Sequence, residues 1–580
     1  MILERIQSPK DLKGLNEQEL VSLCAEIREV LLHALSTNGG HLAPNLGVVE
    51  LSVALHYVFD SPKDKIVWDV SHQTYTHKIL TGRKDAFLKE GHYHDVSGFS
   101  DPDESEHDLF RLGHTASAIS LANGLAKGRD MLGGKENVIA IIGDGSLSGG
   151  EAYEGLNNVV ELGTNTIVIV NDNDHSIAEN HGGYAMNLKK LREANGTSGD
   201  NFFKAIGFDY RYVEEGNDVL ALIQALKEIK DIDHPILLHI HTIKGKGYPP
   251  AEINPEAFHN GGPFDLASGK RPLRKEVTYQ ALLADYIQKK VKEGLPLVAL
   301  TSGTPIIGGA DQSVRKSLGK NFYDAGIAEE HAAAMASGIA KTGAKVIWTV
   351  FASFVQRCYD QLNQDLSLNR SPAVILISGA TALSGASVTH LGMFDIPLLA
   401  NIPGITYLAP VTKEQYFTML DYALAQNEKP ILIRVPAKVI STGEIDKTDY
   451  SKISSRVVVR GKDVAIIAVG SFFERGKAVA EVLKEHGILA TLIDPVFVSH
   501  LDGKTLRSLE ENHRLIVTLE DGQLEGGYGE KIARFYGASK MKVLNFGIKK
   551  GFYDRVDEEK MLEMNSLTVP QIVQAVLNEK

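Results

Sequence analysis

Long apolar runs are missing from this sequence: no stretch approaches the roughly 20 consecutive apolar residues that a membrane-spanning helix needs. That excludes an integral helical membrane protein as the expectation. Cysteine is nearly absent, only Cys24 and Cys358 occurring, both in segments with helical patterning, so a disulfide framework or a cysteine-rich metal site is excluded and both read as core. Blocks of one charge sign are also missing. The formal charge of −12, from 73 acids against 61 bases, is spread along the chain and points away from nucleic acid or an anionic membrane and toward a small-molecule substrate. There is no short-period repeat or low-complexity tract. The opening residues show neither a signal-peptide core nor a transit-peptide bias, from which a cytoplasmic location is expected.

What is present is size and alternation. At 580 residues, with 43% hydrophobic and 23% charged, the chain has the length for two to four domains with sizeable cores. A first long helix is predicted from Asn16 as N-cap, with Glu19 three residues on, then Leu20, Leu23, Ile27 and Leu31 on one stripe and a stop near Asn38-Gly39. Beyond it, β-branched runs at 138–142 and 166–170 flank a helical pattern at 151–162, which reads as a parallel sheet covered on both faces. The Gly- and Pro-rich segment from Lys244 to Pro272 reads as a long crossover linker. Strand candidates then fall at 296–300, 345–351, 373–378 and 431–434 and, after a polar stretch at 441–455, at 464–469, 490–493, 515–519 and 543–546. The fold expected is α/β, with three doubly wound domains at 1–275, 276–440 and 441–580.

The strongest local signal is Ile141-Ile142-Gly143-Asp144-Gly145-Ser146 at the end of an apolar strand, followed one helix and one strand later by Asn171-Asp172-Asn173. Parallel strands one crossover apart bring their C-terminal ends together, so Asp144 and Asn173 can face one ion. A carboxylate and an amide carbonyl are hard ligands suited to Mg²⁺, which completes its shell with phosphate oxygens. Gly143 and Gly145 let backbone approach a diphosphate closely. Gly-Asp-Gly alone is as often a mere turn; the distant Asn makes it more specific.

Gly-Asp-Gly with a distant Asn resembles the thiamine-diphosphate (ThDP) fingerprint, and the surrounding sequence resembles the 1-deoxy-D-xylulose-5-phosphate synthase family over nearly the whole chain. The resemblance is carried by Gly40-His41-Leu42-Ala43-Pro44-Asn45, Trp68-Asp69-Val70-Ser71-His72, Leu112-Gly113-His114 and Gly247-Tyr248-Pro249-Pro250. It continues in Ile327-Ala328-Glu329-Glu330-His331, Phe354-Val355-Gln356-Arg357, Thr389-His390 and Arg434-Val435-Pro436. It implies three transketolase-type domains (pyrophosphate-binding, pyrimidine-binding and C-terminal), ThDP and Mg²⁺ as cofactors, and a homodimer. The implied reaction joins pyruvate to glyceraldehyde 3-phosphate with loss of CO₂, a transferase step feeding isoprenoid and thiamine biosynthesis.

By matching position, the resemblance makes Asp144, Asn173 and the His175 carbonyl metal ligands, and His72, Gly113, His114, Thr115, Gly145, Ser146, Asn173, Tyr248, Glu329 and Phe354 cofactor-lining. Glu329 becomes the carboxylate on N1′ of the aminopyrimidine and Phe354 the ring stacked on it. Without the resemblance, Glu329 would read as a helix N-terminal acid and Phe354 as core. Histidines suit the later proton transfers because the imidazole pKa lies near neutrality. Of the 20, His41, His72, His259 and His390 match catalytic positions, whereas His33, His56 and His92 read as surface or core.

The acceptor end departs from the family. Where its members hold the aldehyde's phosphate with Tyr, Arg, Asp and Arg, this chain has Phe351, Gly379, Ala386 and Arg434, leaving Arg434 and Phe351 as the substrate-binding candidates and Lys438 as a nearby substitute cation. Ser71 replaces a usual Gly and Thr76 a usual Pro, and the loop at 182–200 and the linker are trimmed. Acetyl transfer from pyruvate to an aldehyde, as in 1-deoxy-D-xylulose 5-phosphate synthesis, is the expected function, and the three missing groups point to an acceptor other than glyceraldehyde 3-phosphate. The alternatives are a paralogue with another aldehyde acceptor, transketolase-type ketol transfer and a non-catalytic ThDP-binding regulator; retention of Asp144, Asn173, Glu329 and the His set argues against the last.

Overall fold

A computed structural model describes residues 1–272 and 276–579. The chain divides into two compact units, Met1–Lys275 with Gly326–Ala328, and Glu276–Ala325 with Glu329–Lys580. The boundary expected near 275 falls at 273–275, outside the described residues.

The first unit is built on a five-stranded sheet of β1 (Lys65–Trp68), β2 (Val138–Gly143), β3 (Thr166–Asp172), β4 (Asp209–Val213) and β5 (Pro235–His241), in the order β1-β2-β3-β5-β4. Every neighbouring pair is parallel. Alternation along the strands divides the side chains between two cores: Ile139, Ile141, Ile167 and Ile169 enter one, Val138, Ala140, Ile142, Val168 and Val170 the other. Period-2 exchange between two buried faces requires helices on both, which is why the strands read as unbroken apolar runs. The first of these cores is closed by the Glu17–Asn38 helix, whose start is fixed by Asn16 accepting from the Glu19 amide with Glu19 reaching back, and whose end is the left-handed Gly39.

The second unit holds two sheets. One comprises β6 (Leu297–Thr301), β7 (Phe322–Asp324), β8 (Lys345–Phe351), β9 (Val374–Ser378), β10 (Thr406–Leu408) and β11 (Ile431–Arg434), all parallel, in the order β10-β11-β9-β8-β6-β7. The other comprises β12 (Arg456–Val459), β13 (Asp463–Ala468), β14 (Thr491–Asp494), β15 (His513–Gln523) and β16 (Lys542–Ile548), in the order β12-β14-β13-β15-β16 with only β12 antiparallel. One face of each sheet contributes to a single core, in which Trp348, Val350, Ile375 and Ile377 join Ala465, Ile467, Ile493 and Ile516. The α/β, parallel-sheet expectation holds, and both cysteines are buried.

Candidate active site

In the first unit, β2 and β3 pair in a register that sets Gly143 against Asn171, so residues 144–145 and 172–173 leave the sheet side by side. There the Asp144 carboxylate accepts from the Gly145 amide at 2.9 Å and the Asn173 amide at 3.0 Å. Asp144 is only 5% exposed, and burial together with the neighbouring Asp172 pushes its pKa well above the usual carboxylate range. Asp172 behaves oppositely. Burial would raise its pKa, but His239 at 2.8 Å and Arg192 outweigh that and hold it at about 2. A buried carboxylate beside a permanently ionised one has a standing electrostatic deficit that a divalent cation would remove. These residues therefore fit a metal.

The surroundings fit a diphosphate. Nothing lies within 4 Å of a Cβ built on Gly143, whereas one on Gly145 would stand 2.4 Å from Ser176 Cβ, so Gly145 is required by close packing and Gly143 faces open space. Ser146 opens a short turn behind Gly145. The Gly113-His114-Thr115 loop is set by Asp69 at the end of β1, whose carboxylate accepts from the Ala116 and Ala118 amides at 2.9 and 3.0 Å. Asn173 Oδ1 accepts from the His175 amide at 3.3 Å, and the His175 ring turns back to the Asn173 carbonyl at 3.1 Å.

The structure gathers three of the expected histidines. His41 and His72 rings lie 5.2 Å apart, His41 and His259 5.8 Å, and His72 and His259 5.3 Å. His259 is half-buried, and desolvation followed by Lys244 pushes its pKa well below the imidazole range, which favours the neutral ring. Lys244 was not singled out in the sequence. Its ammonium donates to the Ser176 carbonyl and lies 3.2 Å from His259 Nδ1, while burial, opposed by Asp144, lowers its pKa to about 8. The only trace of it was the Lys-Gly-Lys-Gly run, which read as linker. Tyr248 is not brought into this ring cluster by its side chain: the ring packs on Phe258 and Phe264, and the hydroxyl donates to the Leu266 carbonyl at 2.9 Å.

In the second unit, Glu329 begins the Glu329–Lys341 helix, as the helix-terminus alternative required, yet it is only 2% exposed. Burial raises its pKa to about 7 against the pull of Arg357, whose guanidinium is 3.6 Å from Oε2. Among the described residues Oε2 has no hydrogen-bond partner. A buried carboxylate oxygen left unbonded costs stability and suits a ligand that brings its own ring nitrogen. The Phe354 ring stands edge-on to His390 at 5.6 Å and to Phe351 at 5.6 Å.

The acceptor candidates behave differently. Arg434 is 4% exposed and locked: Nε donates to Asp395 at 2.8 Å, a second nitrogen reaches Asp395 at 3.2 Å, and the third donates to Asp521. With one cation between two carboxylates the cluster carries a net negative charge, so Arg434 is not a ready anion ligand. Lys438 does not substitute, because its side chain is 83% exposed and faces Glu558 at 3.9 Å. Phe351 instead stands beside Gly379, where the left-handed φ of +66° and a Cβ that would fall 3.3 Å from the Phe351 ring disfavour a longer side chain. The Ala386 carbonyl accepts from the Arg555 amide at 3.0 Å. Ser71, at a left-handed φ of 67°, explains why glycine suits this position; its hydroxyl takes the Ser100 amide at 2.8 Å and donates to the Leu112 carbonyl at 3.2 Å.

With this geometry in place, similarity to known proteins becomes informative. Residues 275–441 match the model of the transketolase pyrimidine-binding domain and 454–572 that of the transketolase C-terminal domain. The class is therefore transketolase-like. Residues 3–199 and 194–242 match the model of 1-deoxy-D-xylulose-5-phosphate synthase. Proteins of that name from Geobacter sulfurreducens and Symbiobacterium thermophilum are 36% and 37% identical to this chain, covering 96% and 99% of it and 93% and 94% of themselves. One from Lachnoclostridium phytofermentans is 35% identical over 100% of this chain and 99% of its own length. The chain belongs to the 1-deoxy-D-xylulose-5-phosphate synthase family.

Proposed function

We propose that this protein is a ThDP- and Mg²⁺-dependent transferase that decarboxylates pyruvate and transfers the two-carbon acetyl unit to an aldehyde, glyceraldehyde 3-phosphate, giving 1-deoxy-D-xylulose 5-phosphate. The observation that carries the reading is the pairing of Asp144 with Asn173 at adjacent strand ends, in a chain similar to the family from end to end.

The roles follow from the surroundings already described. Asp144, Asn173 Oδ1 and the His175 carbonyl would hold Mg²⁺; His72, Gly113, His114, Thr115, Gly145 and Ser146 would line the cofactor, whereas Tyr248, the remaining position carried over from the family, turns its side chain to Phe258 and Phe264. Glu329 Oε2, buried and without a hydrogen bond, would meet N1′ of the aminopyrimidine with Phe354 against the ring. When bound, ThDP makes the carbonyl carbon of a 2-keto acid nucleophilic after CO₂ is lost. The protein's part is to hold and move protons. A Glu329 carboxyl poised near neutrality can hold a proton at N1′ and release it, and His41, His72, His259 and His390 can donate to and accept from the oxygens of keto acid and aldehyde. By matching position Phe351 and Arg434 would border the acceptor, Arg434 with its guanidinium committed to Asp395 and Asp521. The three domains are assigned to 1–275, 276–440 and 441–580, the assembly to a homodimer and the location to the cytoplasm. Among the described residues no helix is long and apolar enough to cross a membrane.

Calorimetry of ThDP binding with and without Mg²⁺, and pyruvate turnover with a panel of phosphorylated and plain aldehydes read by mass spectrometry, test the reading together. Expected are Mg²⁺-dependent ThDP binding lost in Asp144→Ala and turnover fastest with glyceraldehyde 3-phosphate. Binding indifferent to Mg²⁺ and to Asp144 would overturn it.

A further inference from the structure

His41, His72 and His259 lie on chain segments remote in sequence, and one side chain, that of Asn45 at the end of the Gly40–Asn45 motif, joins two of them. Asn45 is fully buried at 0% exposure. Its Nδ2 donates to the His41 carbonyl at 2.7 Å and to the His72 carbonyl at 2.9 Å, while Oδ1 accepts from the Tyr75 amide at 2.8 Å. Both amide donors and the amide oxygen are therefore in use. His41 is the residue from which the Leu42–Leu46 helix starts, and His72 sits in the turn before the Tyr75–Lys78 helix, whose first amide Asn45 satisfies. His259 is tied to the same segment by backbone alone, through Gly40 N to the Gly261 carbonyl at 2.8 Å and Ala43 N to the Phe258 carbonyl at 2.9 Å. The His41–His72 relation runs through the Asn45 side chain, with the Tyr75 hydroxyl taking the His41 amide at a longer 3.5 Å.

We propose that Asn45 is a positioning residue for the reaction: by bridging the two carbonyls it fixes the offset of the His41 and His72 rings at which a bound keto acid or aldehyde exchanges protons. The inference rests on the catalytic reading of those histidines given above. Loss of the bridge leaves both imidazoles chemically intact but frees their backbones to shift, and a misplacement of about 1 Å at a reacting centre costs on the order of 100-fold.

The test uses the holoenzyme with Mg²⁺ and ThDP. Asn45→Asp keeps the shape and the acceptor for Tyr75 but removes both donors; Asn45→Ser removes the bridge and leaves room for water. Each is measured alone and combined with His41→Ala and His72→Ala, with the ThDP Kd from calorimetry as a second readout. We expect kcat for pyruvate to fall roughly 10- to 100-fold with the ThDP Kd changed by less than about threefold, and the loss to shrink to a few-fold in the His41→Ala and His72→Ala backgrounds, as linked sites behave. Ordinary kcat, a loss fully additive with both histidine variants, or failure of both Asn45 variants to fold overturns the positioning role while leaving the histidine assignment standing. Near-normal turnover in His41→Ala and His72→Ala would instead fail the catalytic reading and the inference with it.

Discussion

Each unit handles buried charge in two opposite ways, leaving one group short of partners and supplying another in full. In the first, Asp144 is left electrostatically deficient beside an Asp172 that Arg192 and His239 keep ionised, so the deficit is directed at whatever binds next. In the second, Arg434 is neutralised internally by Asp395 and Asp521, whereas the buried Glu329 carboxylate, with Arg357 3.6 Å away, keeps one oxygen without a hydrogen bond among the described residues. A charge that is to meet a ligand is buried and left short of partners; a charge that holds the fold is buried and over-supplied.

Breaking that contrast at Glu329 has the largest expected effect. Glu329→Ala should lower pyruvate turnover at least about 1,000-fold, roughly 4 kcal/mol of barrier, while ThDP still binds. Near-normal turnover would remove the central assignment. Next comes Arg434→Gln, which strands two buried carboxylates and should cost about 3–5 kcal/mol in denaturant unfolding. If Arg434 instead served mainly to hold substrate, KM for glyceraldehyde 3-phosphate would rise steeply with stability unchanged.

A subtler probe is pH. The Glu329 carboxyl is raised from 4.5 to about 7 in the fold, so the native state binds more protons between those values and loses stability as pH climbs through that window. Glu329→Gln without cofactor should therefore match the wild type at pH 4 and exceed it at pH 8 by up to roughly 3 kcal/mol. An equal difference at both pH values would show that Glu329 is not held out of its ordinary range. The smallest effect belongs to Ser71→Gly, where relief of about 1 kcal/mol of left-handed strain is opposed by two lost hydrogen bonds of similar size, leaving melting within a few degrees of wild type.

Much of the fold was legible because the strands are buried on both faces. The runs at 345–351 and 431–434 match β8 and β11 residue for residue, and the Asn16 cap and Gly39 stop of the first long helix fall where expected. Strands β1, β4, β5, β7, β10 and β12 were not foreseen: several are only three to five residues long, and β4 and β12 are partly exposed, which blurs their pattern. At the site, residue type and spacing picked out Asp144 and Asn173, and the family resemblance picked out the histidines. Neither gave a role to Asn45, Asp69, Arg192 or Lys244, whose significance lies in partners far along the chain, such as the Tyr75 amide or the Ser176 carbonyl. Nor could spacing foretell that Arg434 would be committed to Asp395 and Asp521.

The core shared by the two sheets of the second unit bears on how this chain tolerates being cut. Ala465, Ile467, Ile493 and Ile516 are covered by Trp348, Val350, Ile375 and Ile377. A protease nick in the polar stretch at 441–455 would leave the fragments bound to each other, whereas a gene split at the same point, expressing either half alone, would bare an apolar sheet face and yield aggregates that co-expression of the missing half should rescue.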